Sequence, residues 1–246
     1  MEALAAHHAV VVFCSAKTAT EQRALREQLG LTTTPFIVEN GSAIIVPDAA
    51  KLPVSQWRAS EAAPNERRFV LGVGARAVRE AIRTAALATG CDVTGYADLS
   101  LAEIATLTGL TTAAAERASQ RDFSETLVGN FSAPAWPAFL GALSTAGMCA
   151  RAGGRFYTVT GGAADKGHAV QILRELYARE SGQTILAVGL GDSANDASLL
   201  GAVDRGYLLP KPDGTFAELA INGVQRVSHP GPRGWEEAMV DLLSSL

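Results

Sequence analysis

The segment VGLGDSANDASLL, residues 188–200, decides how this chain is read. An apolar strand stops on Gly191 and Asp192 and gives way to a helix that carries Asp196. Two carboxylates at that spacing at the mouth of a strand suit a hard cation. In open parallel sheets, ligands gather beyond the C-terminal ends of the strands. Two further polar clusters occupy such ends. Ser15, Lys17 and Thr18 follow the apolar run AVVVFC, residues 9–14, and Lys166 opens a helix after TGGAAD, residues 160–165. A hydroxyl, an ammonium and paired carboxylates together are what magnesium-assisted phosphoryl chemistry needs: donors for phosphate oxygens, a fixed positive charge and oxygen ligands for the metal.

Working outward, the chain alternates strands and helices at both ends. The run at 9–14 predicts a strand buried on both faces. Thr20 is expected to cap the next helix, with Leu25 and Leu29 inward and Gly30 as its stop. PFIVENGSAIIVP, residues 35–47, predicts two short strands about the turn Glu39-Asn40-Gly41, because Asn-Gly favours tight hairpins. The Pro- and Ala-rich stretch 47–68 breaks the periodicity and marks a crossing into another lobe. From Phe69 the reading is a strand, a helix over 75–88, helical segments at 100–110 and 112–120, and an extended DFSETLVG at 122–129, an α+β lobe. The α/β rhythm resumes with a helix over 165–178, with Val170, Leu173 and Leu176 inward, and the strand TILAVGLGDS. A helix at 195–200, a strand at 206–209 and a helix from Trp235 close the chain. The fold expected is a doubly wound parallel α/β core, residues 1–65 and 155–246, with an α+β cap, 66–154, inserted in it.

The chain has 246 residues, 48% of them hydrophobic, enough for one large or two modest cores. A net charge of -4 without a Lys/Arg run argues against nucleic acid or an anionic membrane as partner. No apolar run approaches the roughly 20 residues of a membrane helix, and MEALAAHH lacks the marks of a secretory signal. Cys14, Cys91 and Cys149 are widely spaced among apolar neighbours and read as free thiols, so a cytoplasmic location is expected. His168 and His229 receive no role.

Taken singly, each cluster has a plainer reading. Asp192 and Ser193 can cap the following helix, Ser15 can open one, and Lys166 can be a surface lysine. The Gly-rich RAGGRFYTVTGG can be a turn between strands, and Arg121 with Glu125 can be a surface ion pair.

In combination, the clusters resemble the haloacid dehalogenase (HAD) superfamily, and within it the mannosyl-3-phosphoglycerate phosphatase family. The second superfamily motif matches Ser15 in VVFCSAKT, the third Lys166 in DKG, and the fourth GDSAND. PFIVENG, LTGL at 107–110, RDFSETL at 121–127, GGRF at 153–156 and PDG at 212–214 match the narrower family. The resemblance implies a Mg2+-dependent phosphatase acting on mannosyl- or glucosyl-3-phosphoglycerate or a related phospho-sugar. It implies that Asp192 and Asp196 serve the metal, Asp196 holding it or positioning Lys166, and that Ser15 and Lys166 bind phosphoryl oxygens. Lys17, Thr18, Asn40, Arg121, Glu125, Gly154 and Arg155 would face the rest of the substrate, a small phosphorylated sugar or glycerate.

The superfamily's nucleophile is an aspartate in a D-x-D-G-T-like segment on the strand before the second motif, and this chain has no such segment. The nucleophile-bearing strand is therefore expected to be absent, which leaves the strands ending at Ser15 and Asp192 with open edges. Such edges favour pairing with another chain, hence a homodimer that covers them. Three readings stay open: a phosphatase whose N-terminal segment lies outside this sequence, one that uses a different nucleophile, and a catalytically impaired relative that binds a phospho-ligand or a protein.

Overall fold

The computed structural model describes residues 2–53, 60–153 and 155–246. Contacts divide the chain into two units, Met1–Ala164 and Asp165–Leu246. The first unit holds two sheets. Helix α1 (Glu2–Ala6) leads to β1 (Phe13–Cys14), α2 (Ala19–Gln28), β2 (Phe36–Val38), β3 (Ala43–Pro47), β4 (Ser60–Ala63) and β5 (Glu66–Val70). These strands lie in the order β1-β2-β3-β5-β4. β1 runs parallel to β2, with Phe13 opposite Phe36 and Cys14 opposite Ile37. The β2–β3 hairpin is antiparallel about Glu39-Asn40-Gly41, as the Asn-Gly signal predicts. Phe36, Val38, Ala43 and Ile45 bury one face of this sheet together with Phe123.

Four details depart from the expected pattern. The strand over 9–14 shortens to Phe13–Cys14, because β2 begins only at Phe36, and Val10 stays 45% exposed. The cap of α2 is Thr18, not Thr20; Thr18 and Glu21 form a capping box, in which each side chain takes up the other's backbone N–H. The buried face of α2 carries Gln22 and Arg26, while Leu25 and Leu29 face solvent. Polar side chains win that face because carbonyls need donors there: Gln22 donates to the Ile37 carbonyl, and Arg26 to those of Thr32 and Thr34. The Arg26 guanidinium also lies 4.0 Å above the Phe36 ring. Finally, the Pro/Ala-rich stretch returns to this sheet through β4 and β5, residues 54–59 lying outside the described ones. β5 therefore spans position 66, where the second lobe was expected to begin.

The second sheet of this unit is α+β, as expected. Its elements are α3 (Ala75–Thr89), β6 (Val93–Gly95), α4 (Leu101–Thr108), α5 (Thr112–Ser119), β7 (Ser124–Gly129), α6 (Trp136–Thr145), β8 (Met148–Gly153) and β9 (Phe156–Gly161). The antiparallel order is β6-β7-β9-β8. Helices α3 and α6 cover one face: Val78, Ile82 and Ala85, at helical spacing, meet Leu127, Phe139, Leu143 and Val159. Burying each larger side chain contributes about 1.5–3 kcal/mol. α4 and α5 bury Ile104, Ala115 and Ala118 in a smaller cluster with Tyr96.

The second unit contains α7 (Lys166–Ser181), β10 (Val188–Gly191), α8 (Ala197–Gly201), β11 (Arg205–Leu208), β12 (Val224–Arg226) and α9 (Gly231–Ser244). Its sheet is parallel throughout, β10-β11-β12, so the strand ends point the same way. Of the three residues expected inward on α7, Leu173 and Leu176 are buried and Val170 half-buried. β1 and β10, the strands that lead to Ser15 and Asp192, each stand at an outer position of their sheets among the described residues. None of the three cysteines is joined in a disulfide, and burial pushes the Cys91 thiol above its usual range. Among the described residues, no helix is long and apolar enough to cross a membrane.

Candidate active site

At the end of β10 the chain is pressed against its own next turn. A Cβ on Gly191 would lie 2.5 Å from Cβ of Asp196, so only glycine fits there. The tight turn Ala194–Asp196 then brings the Asp196 carboxylate back over the strand end. Its Oδ2 accepts the backbone N–H groups of Asp192 and Ser193, both at 3.1 Å, and faces the Ser193 hydroxyl at 2.9 Å. Its Oδ1 lies 2.7 Å from Nζ of Lys166.

Lys166 reaches Asp196 because α7 and α8 almost touch. Asp165 caps α7 by accepting the His168 N–H at 2.9 Å, which fixes where the helix starts. A Cβ on Gly167 would stand 2.3 Å from the Ser198 carbonyl oxygen. The pair is nearly enclosed, with the two side chains 5% and 9% exposed. A buried ammonium held by one carboxylate oxygen is fixed in place yet keeps two N–H donors.

Asp192 differs from Asp196 in environment. Its side chain is exposed and, among the described residues, takes part in no hydrogen bond or ion pair. No group of three or more His, Cys, Asp or Glu side chains is placed among the described residues to hold a metal. Magnesium does not need one: it commonly binds through one or two carboxylates, with waters and substrate phosphates completing the octahedron. Asp192 fits as one such oxygen ligand. Both oxygens of Asp196 are engaged, so its geometry is that of the residue that holds Lys166.

In the first unit, Ser15 sits where β1 ends. Its N–H donates to the Ile37 carbonyl, its carbonyl accepts the Asn40 N–H, and its Oγ accepts the Lys17 N–H at 3.3 Å. Lys17 is exposed and pairs with Glu21 at 3.1 Å. Thr18 is wholly buried; its Oγ1 caps α2 and donates to the Arg117 carbonyl at 2.8 Å, so its hydroxyl serves the fold. Asn40 is buried in a left-handed conformation, φ 60°.

Arg121 and Glu125 do not pair with each other. Glu125 is buried on the helix side of the second sheet, 2.6 Å from Nε of Arg79 on α3. Arg121 Nη1 donates to the Ala16 carbonyl at 3.2 Å and to Ser124 Oγ at 2.8 Å. Arg155 is exposed in the β8–β9 turn, where it donates to the Thr108 carbonyl at 3.0 Å; Gly154 lies outside the described residues. Sequence reasoning missed Glu39 and Ser124. Glu39, 1% exposed, accepts the N–H groups of Asp122 and Phe123, both at 3.0 Å, and the Ser124 hydroxyl at 2.5 Å. Burial pushes its carboxyl above the usual range, and Arg121, Ser124 and the two amides pull it back. The available signal was an acidic residue directly after the fully apolar Phe36–Val38.

No family model matches the chain. A glucosyl-3-phosphoglycerate/mannosyl-3-phosphoglycerate phosphatase of Persephonella marina is 30% identical over 239 residues, covering 96% of this chain and 85% of the relative. Among solved structures, a HAD-superfamily phosphatase of Bacteroides thetaiotaomicron superposes with TM-score 0.64 at 15% identity, covering 100% of this chain and 87% of that one. A HAD subclass IIB sugar phosphatase gives TM-score 0.60 at 14% identity over 98% and 89%. At those identities the structures speak for the fold, a Rossmann-like core with an α+β cap, while the curated relative speaks for the lineage. On that similarity along nearly its whole length, the chain belongs to the glucosyl-3-phosphoglycerate/mannosyl-3-phosphoglycerate phosphatase family, whose members are phosphoric monoester hydrolases.

Proposed function

We propose that this chain hydrolyses the phosphate monoester of a sugar-bearing 3-phosphoglycerate, with Mg2+ as cofactor. The observation that carries the reading is the contrast at the end of β10: Asp196 is bonded through both oxygens and immobilises Lys166, while the neighbouring Asp192 carboxylate is exposed and unengaged. Lys166 then offers a fixed positive charge to phosphoryl oxygens without having to reorganise, and Ser15 offers a hydroxyl donor. Asp192 would hold Mg2+, which when bound neutralises charge on the phosphoryl group. Arg121 and Arg155 are the candidates for the glycerate carboxylate, where a guanidinium can bind two oxygens at once. Lys17 and Asn40, on the loops beside Ser15, are further candidates for substrate contact. The expected setting is cytoplasmic, with a homodimer as the assembly that covers the outer strands.

A second reading rests on one observation: the sequence given contains no D-x-D-G-T-like segment to supply the superfamily's nucleophile. On that reading the chain binds a phospho-ligand without turning it over. The test is phosphate release from mannosyl- and glucosyl-3-phosphoglycerate and from an aryl phosphate, with Mg2+, with chelator, and in Asp192→Ala. Turnover lost in both chelator and variant supports the first reading. Binding without release favours the second, and neither binding nor release from a folded sample overturns both.

A further inference from the structure

Between the loop that carries Ser15 and the start of β7, hydrogen bonds close a ring. The Glu39 N–H donates to the Lys17 carbonyl at 3.1 Å, and the Asn40 N–H to the Ser15 carbonyl at 3.0 Å. The Glu39 carboxylate accepts the N–H groups of Asp122 and Phe123 and the Ser124 hydroxyl. Arg121, beside them, returns to the starting loop through the Ala16 carbonyl and also donates to Ser124 Oγ. Residues 15–17, 39–40 and 121–124 are thus held by one buried carboxylate and one guanidinium.

The backbone is shaped for this. Glu39 and Asn40 are successive non-glycine residues at φ 48° and 60°, a conformation that persists only where surroundings over-determine it. A carboxylate buried to 1% exposure is also costly unless its lone pairs are filled. Here the donors come from the segment entering β7, more than 80 residues away in sequence, 83 to 85 positions on. A hydrophobic side chain at position 39 would avoid the cost of the buried carboxylate, and a glycine there that of the positive φ.

We propose that Glu39, with Ser124 and Arg121, is a positioning device that sets the Ser15 loop according to the placement of β7, coupling that strand to the loop proposed to bind phosphoryl oxygens. The coupling itself rests on the ring of bonds; its consequence for phosphate binding rests on the function proposed above.

The test uses the full chain and two readouts. Amide hydrogen exchange is followed at Ser15, Glu39 and Asn40 in Ser124→Ala, Ser124→Thr, Arg121→Ala and Glu39→Gln. In Ser124→Ala, a change in β7 that touches none of these amides, their exchange should rise at least tenfold while α3 and α6 keep their protection. Ser124→Thr, which restores the hydroxyl, should recover most of it. Unchanged exchange in Ser124→Ala and Arg121→Ala, or a rise spread evenly over the whole unit, overturns the proposal. Should Glu39→Gln fail to fold, the Ser124 and Arg121 variants still decide. The second readout is binding of inorganic phosphate with Mg2+, expected to weaken at least fivefold in Ser124→Ala and to recover in Ser124→Thr. No phosphate binding by the unaltered chain counts against the proposed function and leaves the exchange result to judge the coupling. Equal phosphate affinity in Ser124→Ala and the unaltered chain overturns the coupling's role in binding.

Discussion

Lys166 Nζ lies 2.7 Å from Asp196 Oδ1, and the two side chains seal each other from solvent at the junction of α7 and α8. Breaking a buried pair by removing one partner leaves an uncompensated charge, which costs about 3–5 kcal/mol. Asp196→Ala should therefore lower unfolding stability by that amount in urea titrations. The double variant Asp196→Leu with Lys166→Met should be milder than Asp196→Ala, since neither charge then remains. A double variant as unstable as the single would show that packing, not the pair, sets the cost.

Asp192 should behave in the opposite way. An exposed carboxylate without partners among the described residues contributes little to the fold, so Asp192→Ala is expected within about 0.5 kcal/mol of the unaltered chain. Any Mg2+-dependent phosphate release should nevertheless disappear. A melting curve and a release assay on the same preparation check both halves.

The approach of α7 to α8 depends on Gly167. Adding a methyl there drives a carbon to 2.3 Å from the Ser198 carbonyl oxygen, against backbone that cannot swing aside. Gly167→Ala should cost about 1–3 kcal/mol as overpacking. It should also disturb Lys166 and Asp196, visible as chemical-shift changes at Asp192 and Ser193.

Tyr177 gives a pH signature. Burial pushes its phenol from 10.0 up to about 12, so the folded chain holds the proton longer than the unfolded chain does. The stability this contributes is fully present below pH 10 and is lost as pH rises towards about 12. Ultraviolet titration of tyrosinate should show a component delayed to that range, absent in Tyr177→Phe. The same substitution should flatten the alkaline loss of stability.

Much of this was legible in residue order because it depends on local rules. Asn40-Gly41 specifies the β2–β3 hairpin, and the apolar spacing of Leu173 and Leu176 specifies the inward face of α7. The order of Ser15, Lys166 and GDSAND carried the lineage, which the curated relative bears out. β1 was overextended because a strand's length is set by its neighbour, and β2 offers pairing only from Phe36. The inward face of α2 was misread for a similar reason: carbonyls of residues 32, 34 and 37 call for Gln22 and Arg26, and they are distant in the pattern that hydrophobic spacing reads.

By itself, then, the sequence determined many of the helices and the β2–β3 hairpin, which residue types stand at strand ends and to which family they belong, since propensity, turn chemistry and motif order are properties of short stretches. Only the tertiary structure decided which polar groups are free to act. It engaged Asp196 with Lys166, left Asp192 open, gave Thr18 to a helix cap and Glu125 to Arg79, and closed Glu39 around Ser124. The physical reason is that a buried polar group must find a partner, and the partner comes from wherever folding brings one within hydrogen-bond reach.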